Sequence, residues 1–282
     1  MNTIEAILLG IIQGITEFLP ISSTGHLTVA GKLMNLISFE NPERWTAFIA
    51  VIQLGTLLAV LLYFWKDLIS ILEDFIHDNV LDRKKFNEQT MNSKMGWYLV
   101  FATLPVAVIG LGFKNIIEGV LTKNLYIIAG SLIVLALILA VAEKTGKFTR
   151  KTKDLKWYDA LIIGFAQSLA LIPGSSRSGT TITAGLFLGF DRETAARFSF
   201  LMSIPAVAAS GLLEFYQSLK YIDNNGMINL IVATIASAAV GYLSIGLLLR
   251  YLKKNSTFVF IVYRIIAGII ILILLGKGVI LP

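Results

Sequence analysis

Long apolar stretches separated by short polar segments make up most of the chain. Six of these stretches approach the ~20 residues that an α-helix needs to cross a bilayer, and we predict a transmembrane helix from each. They cover residues 47–65, 97–113, 125–142, 197–216, 228–249 and 257–275. The pattern therefore predicts an all-α integral membrane protein with about six transmembrane helices.

Two further apolar stretches, residues 4–19 and 157–172, are too short for a full crossing and stop at Pro20 and Pro173. A turn rich in glycine and serine follows each proline. A second short apolar piece comes after each turn, near residues 27–36 and 182–190. We predict two re-entrant helix-break-helix hairpins, which enter the membrane and leave on the same side. Irregular backbone is tolerated at that depth only beside protein or water, so the hairpins should face each other or a shared cavity.

The sequence also repeats itself, because a Gly-x-x-Gln precedes each proline break and similar spans follow each hairpin. Each half would hold one hairpin and three spans, and an odd number of spans gives the two halves opposite orientations. The site of such an inverted-topology repeat is expected near the midplane, where the halves meet. We predict a single membrane domain over residues 1–282, made of a first repeat 1–142, a cytoplasmic linker 143–156 and a second repeat 157–282.

Composition supports a membrane protein, since 56% of residues are hydrophobic and 15% are charged, against about 25% charged in soluble domains. No basic segment precedes the first apolar stretch, so we expect no cleaved signal peptide. The absence of cysteine excludes disulfides, thiolate metal sites and a cysteine nucleophile.

The positive charge is unevenly distributed, and 16 of the 24 lysine and arginine residues fall on one side of the predicted spans. By the positive-inside rule this side is cytoplasmic, and both termini lie outside. The net charge of +6 therefore needs no nucleic-acid partner.

The first polar motif, QGITEFLPISSTGH, occupies residues 13–26. Gln13 and Glu17 are four residues apart and share a helix face. Charged groups at membrane depth are costly and mark functional sites. Glu17 could hold a divalent cation or act as a base. The alternative is a structural ion pair with Arg177 or Arg264.

Ser22, Ser23, Thr24 and His26 form the turn after Pro20 and the start of the next helix. The simplest role for these hydroxyls is helix capping. However, Ser23 and His26 are about one helical turn apart, a spacing at which a hydroxyl and an imidazole can act as nucleophile and base. A direct attack by His26 on phosphorus, or a structural role for it, stays open.

The second polar motif, QSLALIPGSSRSGTT, resembles an anion-binding turn. Small residues let backbone N–H groups approach a ligand, and the helix N-terminus favours negative charge. Arg177 adds a permanent charge suited to phosphate oxygens. The alternative is a glycine turn whose arginine reaches the surface. Arg264, in the last span, could bind phosphate or neutralise Glu17. The predicted ligand groups of this turn are Gly174, Ser175, Ser176, Ser178 and Thr181.

Together the two motifs resemble the paired signatures of the undecaprenyl pyrophosphate phosphatases, also called the bacitracin-resistance family. The resemblance covers essentially the whole chain. It implies an inverted-repeat membrane fold with two re-entrant hairpins. It also implies hydrolysis of undecaprenyl pyrophosphate to undecaprenyl phosphate, which recycles the lipid carrier for peptidoglycan and other cell-wall glycans. A divalent cation, Mg²⁺ or Ca²⁺, and a site open to the outer side of the bacterial cytoplasmic membrane are implied as well.

The resemblance assigns roles residue by residue. The family's acidic motif falls on Gln13 and Glu17, and the glutamine leaves one carboxylate fewer for metal. The catalytic residues it implies are Glu17, Ser23, His26 and Arg177, with Glu17 as the metal ligand. The family's phosphate-binding Ser-Arg falls on Ser176 and Arg177, with Thr181 nearby, and its last-span arginine falls on Arg264. Together with the polar groups of the two motifs, the predicted substrate-binding residues are Gln13, Ser22, Thr24, Gly174, Ser175, Ser176, Ser178, Thr181 and Arg264. The nucleophile, Ser23 or His26, is left open.

A transporter or flippase of a lipid phosphate is the leading alternative, because broken helices in inverted repeats are typical of transporters. Replacing His26 would distinguish them, since a carrier should keep moving lipid. A structural membrane protein is a third interpretation, and it predicts that Glu17, His26 and Arg177 are individually dispensable. The expected partners are a polyprenyl pyrophosphate and the bilayer, with no nucleic acid. The sequence leaves a homodimer open.

Overall fold

A computed structural model describes residues 1–37, 42–113, 124–218 and 224–281. This part of the chain contains eleven α-helices and no strand longer than an isolated bridge. The prediction of an all-α protein is therefore confirmed. The helices are α1 (Thr3–Thr16), α2 (Ser23–Leu33), α3 (Pro42–Tyr63), α4 (Trp65–Ile76), α5 (Met91–Gly112), α6 (Leu125–Thr145), α7 (Trp157–Ser168), α8 (Arg177–Phe187), α9 (Arg192–Ser218), α10 (Asn224–Leu252) and α11 (Phe258–Gly276).

Six of these helices, α3, α5, α6, α9, α10 and α11, are long and apolar enough to cross a membrane. They coincide with the six predicted spans, which are thereby confirmed. The largest difference is at α5, which begins at Met91, before the predicted residue 97. The reason is capping, because the Thr90 hydroxyl accepts a hydrogen bond from the Ser93 backbone N–H at 3.1 Å.

The two predicted hairpins are present as short helices on either side of a break. Helices α1 and α7 have 14 and 12 residues, too few for a full crossing. At the end of each break a serine, Ser22 or Ser176, has left-handed backbone with φ of 76° and 67°. Each of these hydroxyls accepts a hydrogen bond from a glycine N–H three residues later, at Gly25 and Gly179. As a result α2 and α8 begin several residues before the predicted 27 and 182.

Helix packing follows the same pairing in the two halves. Helix α1 packs on α10, and its counterpart α7 packs on α5. Both contacts need a glycine. A Cβ atom at Gly10 would collide with the carbonyl oxygen of Ala233, and a Cβ atom at Gly164 would lie 2.5 Å from the carbonyl oxygen of Ala102. Helix α3 contacts α9, and α6 contacts α11. The boundaries 1–142, 143–156 and 157–282 stay predictions.

Ion pairs join the helix ends at which most of the lysines and arginines lie, which we call the basic end of the bundle. Arg192 of α9 pairs with the buried Glu143 of α6, and Glu143 also accepts a hydrogen bond from Thr257 at 2.8 Å. In the linker, Arg150 pairs with the buried Asp159 at 2.5 Å, and this hydrogen bond raises the pKa of Arg150. The first group of contacts holds the ends of α6, α9 and α11 together, and the second fixes the linker to the start of α7.

Candidate active site

Glu17 lies at the break of the first hairpin, where α1 has just ended, and its side chain is buried. Its Oε2 atom accepts hydrogen bonds from Ser23 Oγ at 2.7 Å and from Gln13 Nε2 at 3.0 Å. The left-handed backbone at Ser22 turns the chain so that the next residue, Ser23, faces back toward α1. The first motif thus places a hydroxyl and a carboxylate in direct contact.

Arg177 connects the second hairpin to this pair. Its Nη2 atom lies 3.1 Å from Glu17 Oε1, and its Nη1 atom donates to the Ser199 carbonyl of α9 at 2.9 Å. The predicted ion pair between Glu17 and Arg177 is therefore formed. Because the same carboxylate also holds Ser23, this pairing does not exclude a chemical role. One charged cluster joins residues 160 positions apart in the chain.

The hydroxyl groups of the second motif divide into two kinds. Ser178 donates to the Leu19 carbonyl at 3.0 Å, and Thr181 contacts Ser199 Oγ at 2.6 Å. Both are therefore already bonded to the protein and do not line the cavity described below. Ser176 caps α8. Ser175, by contrast, is fully buried, and its Oγ has no hydrogen-bond partner in the described part of the chain.

Arg264 is fully buried and bonds to backbone carbonyls of both breaks. Its Nη2 atom donates to Ser175 O at 2.9 Å, and its Nη1 atom reaches Pro20 O at 3.4 Å. The predicted neutralisation of Glu17 by Arg264 is not seen among these contacts. Instead the guanidinium holds the two hairpins at a fixed distance and adds positive charge behind the cluster.

His26 points away from Glu17 and Ser23. Its Nδ1 atom lies 2.7 Å from Ser22 O, and its Nε2 atom lies 2.6 Å from the Tyr263 hydroxyl. The two rings are also stacked, with centroids 5.6 Å apart. Because a carbonyl oxygen only accepts, the Nδ1 atom carries the proton. The structure thus brings Glu17, not His26, to Ser23, and it adds Tyr263, which sequence reasoning missed although it directly precedes Arg264.

A cavity of about 480 Å³ lies beside the cluster. Its polar floor is formed by Glu17, Ser22, Ser23, Thr24, Gln167, Gly174, Ser175, Ser176 and Arg177. Its walls are mostly apolar and come from α5 and α9, with Val106, Ala107, Leu111, Val207 and Leu213 among them. Both helices start at the basic end, and these residues occupy their later turns, so the cavity extends toward the opposite end of the bundle. Of the predicted ligand groups, Gln13, His26, Ser178, Thr181 and Arg264 lie outside the lining.

The floor carries oxygen ligands of the kind that hard divalent cations prefer. Among the described residues that line the cavity, Glu17 supplies the only carboxylate. Gln13, which donates to Glu17 from outside the lining, has a buried Oε1 atom that no described residue bonds. Such a set fits a cation that takes its other ligands from phosphate oxygens and water, as Mg²⁺ commonly does.

Elsewhere in the described ranges, one group of three side chains has metal-ligand character: His77, Asp78 and Asp82, after α4. Lys84 already donates to Asp78 at 2.8 Å and lowers the pKa of that carboxyl. This group is therefore an ion-paired turn outside both hairpins, and we assign it no role in the site.

Comparison with known proteins identifies the family. The family model for the bacitracin resistance protein BacA matches residues 6–270. An undecaprenyl-diphosphatase of Syntrophobacter fumaroxidans is 57% identical over 268 residues, which cover 95% of each chain. An undecaprenyl-diphosphatase of Chlorobaculum tepidum is 50% identical over 291 residues, covering all of both chains. Together with the six apolar helices, these matches make the chain a multi-pass membrane protein that belongs to the bacitracin resistance protein BacA family.

Proposed function

We propose that this protein is an undecaprenyl pyrophosphate phosphatase, which releases the terminal phosphate and returns undecaprenyl phosphate for peptidoglycan synthesis. The observation that carries the proposal is the contact of Ser23, Glu17 and Arg177 on the polar floor of a cavity with apolar walls. Phosphoryl transfer through a covalent intermediate uses a nucleophile, a base and positive charge near the phosphate. Here Ser23, Glu17 and the guanidinium of Arg177 can supply them. The relatives named undecaprenyl-diphosphatase support the same activity.

The shape of the cavity fits a lipid with a diphosphate head. The head group lies on the floor, where Arg177 and the N-terminus of α8 favour negative charge. The isoprenyl chain leaves between α5 and α9, whose apolar side chains line the walls. Arg264 adds positive charge from behind without contacting the ligand, because it lies outside the cavity lining and donates to Ser175 O, Pro20 O and Ser131 O.

In the proposed reaction Ser23 Oγ attacks the terminal phosphorus. A bond forms between Oγ and phosphorus, the bond from phosphorus to the bridging oxygen breaks, and undecaprenyl phosphate leaves. Glu17 Oε2, 2.7 Å from Oγ, accepts the serine proton. Arg177 stabilises the charge that develops on the phosphoryl oxygens. A water molecule then attacks the phosphoserine: a bond forms between its oxygen and phosphorus, the Oγ–phosphorus bond breaks, and one water proton returns to Ser23 Oγ. Phosphate leaves and Glu17 releases the proton that it took, which restores the site.

His26 has a positioning role in this proposal. Its Nδ1 atom donates to Ser22 O at 2.7 Å, and Tyr263 fixes its other nitrogen. The histidine therefore stabilises the backbone of the residue that precedes the nucleophile. Loss of the imidazole is expected to lower activity by displacing Ser23 from Glu17.

We further propose that a divalent cation assists, held by Glu17, the one carboxylate among the described residues that line the cavity. Such a cation neutralises charge on the diphosphate when it is bound. Removal by a chelator is expected to abolish phosphate release, and Mg²⁺ or Ca²⁺ should restore it. Full activity after chelation would refute the cation requirement but leave the serine mechanism in place.

The site is proposed to open to the outer face of the bacterial cytoplasmic membrane. The supporting observation is the direction of the cavity, which follows the later turns of α5 and α9 away from the basic end. The positive-inside rule places that basic end in the cytoplasm.

The decisive experiment is phosphate release from a long-chain isoprenyl pyrophosphate by the purified protein in detergent, with and without a divalent cation. We expect release by the wild type and its near-complete loss in Arg177→Ala and His26→Ala. Folding of each variant is checked by size-exclusion chromatography. No release by a folded wild type under any cation would refute the enzyme and favour a lipid carrier.

A further inference from the structure

Gln167 is a buried amide on the cavity floor to which no described residue offers a partner. The residue is 2% exposed, yet neither its Nε2 nor its Oε1 atom has a hydrogen bond within the described ranges. A buried polar group left unpaired destabilises a protein by about 1–3 kcal/mol, so such groups are normally bonded. Because Gln167 also lines the cavity, a ligand bound there could supply the missing partner.

The equivalent residue of the first motif, Gln13, differs in one respect. Gln13 Nε2 donates to Glu17, which follows four residues later on the same helix face. In the second motif the residue four positions after Gln167 is Leu171, which has no acceptor in its side chain. The two halves therefore use the same amide differently, and Gln167 keeps both of its donor hydrogens available.

The position of Gln167 places it where the head group meets the lipid chain. Gly164, one helical turn earlier on the same face of α7, packs against the backbone of Ala102 in α5. Gln167 therefore lies beside the turn of α5 that carries Thr103 and Val106, where the apolar wall begins. Ser23 and Arg177 mark the position of the terminal phosphorus, so the phosphate nearest to the wall is the one that carries the chain.

We propose that Gln167 binds this proximal phosphate, with Nε2 donating to its non-bridging oxygens; the inference rests on the proposed function. Phosphate oxygens accept hydrogen bonds, and a neutral amide holds them without the long-range attraction of a second cation. Such a contact persists after hydrolysis, because the proximal phosphate remains on the product. Gln167 thereby contributes to binding of substrate and product alike and has no part in the chemical step.

The test is Gln167→Leu, which has a similar volume and no polar atoms. Loss of a hydrogen bond to a charged oxygen should raise KM roughly tenfold to a hundredfold with little change in kcat. Inhibition by an isoprenyl monophosphate should weaken by a similar factor, whereas inhibition by inorganic phosphate should not change. The free variant should melt at the same or a higher temperature than the wild type, because the unpaired amide is gone.

Thr103→Val provides the matched control. Thr103 lines the same part of the cavity, but its hydroxyl already donates to Leu99 O at 2.7 Å. We expect this variant to keep KM and monophosphate inhibition within about twofold of the wild type.

Three results would overturn the assignment. They are a wild-type KM in Gln167→Leu, a raised KM with unchanged monophosphate inhibition, and a raised KM accompanied by an equal fall in kcat. Failure of the proposed function is distinguishable, since the wild type would then release no phosphate. In that case a thermal-shift assay with isoprenyl monophosphate still tests the contact. Stabilisation of the wild type but not of Gln167→Leu would support phosphate binding by Gln167, and equal stabilisation of both would refute it.

Discussion

At the scale of single residues, the backbone of Ser22 decides what Ser23 can do. The left-handed φ of 76° at Ser22 ends the break and starts α2, which leaves Ser23 Oγ at 2.7 Å from Glu17. Left-handed backbone is costly for a residue with a Cβ, and such strain concentrates at functional sites. Here the hydrogen bond from Gly25 N to the Ser22 hydroxyl stabilises the turn.

Ser23→Ala should therefore lower kcat by roughly a thousandfold or more, as removal of a nucleophile does. The melting temperature should change little, because the capping hydroxyl belongs to Ser22. Ser210→Ala is the control, since Ser210 lines the cavity but donates to Ala206 O at 3.1 Å. Steady-state kinetics on both variants make the comparison. Substantial residual turnover in Ser23→Ala would mean that another group is the nucleophile.

Tyr263→Phe should reduce kcat by less than about tenfold, because it removes one hydrogen bond to His26 and leaves the ring stacking in place. His26→Ala should cost considerably more activity, since the bond to Ser22 O is lost as well. Kinetics of the two variants under one set of conditions measure the difference. Equal losses would mean that the tyrosine hydroxyl itself takes part in the reaction.

At the scale of helices, the proline, glycine and serine positions made the two breaks predictable, but the side-chain contacts within them were not. The N-caps at Ser22 and Ser176 extend α2 and α8 toward the cavity and bring Ser23 and Arg177 into their first turns. The sequence also allows several pairings for the half-buried His26, and the placement of α11 selects Tyr263 over Ser23. This contact depends on long-range packing, which the local sequence pattern does not predict.

Gly164→Ala tests the contact of α7 with α5. The added Cβ would lie 2.5 Å from the Ala102 carbonyl oxygen, and a backbone atom cannot move aside as a side chain can. We expect destabilisation of about 1–3 kcal/mol, seen as a lower melting temperature in detergent.

Gly130→Ala in α6 is the control for this change. A Cβ added at Gly130 would meet no atom of a neighbouring described element within 4 Å, and alanine favours a helix over glycine by about 1 kcal/mol. The same thermal assay should show no loss of stability for this variant. A loss equal to that of Gly164→Ala would mean that glycine replacement in these helices is harmful in general and not through the α5 contact.

At the scale of the whole molecule, the apolar runs and the charge asymmetry predicted the six spans and their common basic end. The ion pairs of Arg192 with Glu143 and of Arg197 with Asp67 agree with that placement, because each joins two helices at the same end. A shared cavity was also predicted, because irregular backbone is not tolerated in contact with lipid. Gln167 was not predicted as a ligand, since its lack of a partner among the described residues is a property of the assembled cavity.

The natural absence of cysteine makes the orientation directly testable. In intact cells Lys277→Cys, beyond α11, should react with a membrane-impermeant thiol reagent. Lys85→Cys, at the basic end, should react only after permeabilisation. Lys277 is exposed and Lys85 lies in a loop outside the spans. The reverse labelling pattern would mean that the protein has the opposite orientation in the membrane, with the cavity on the cytoplasmic side.

The position of Arg264 has a consequence for biosynthesis. This arginine bonds to the breaks of both hairpins, yet it lies in the last helix of the chain, Phe258–Gly276. A ribosome completes both hairpins long before it reaches that helix. Until that helix is in place, the nascent chain lacks the contact that joins the two breaks, and we expect hydrolysis to begin only after the final segment has entered the bilayer.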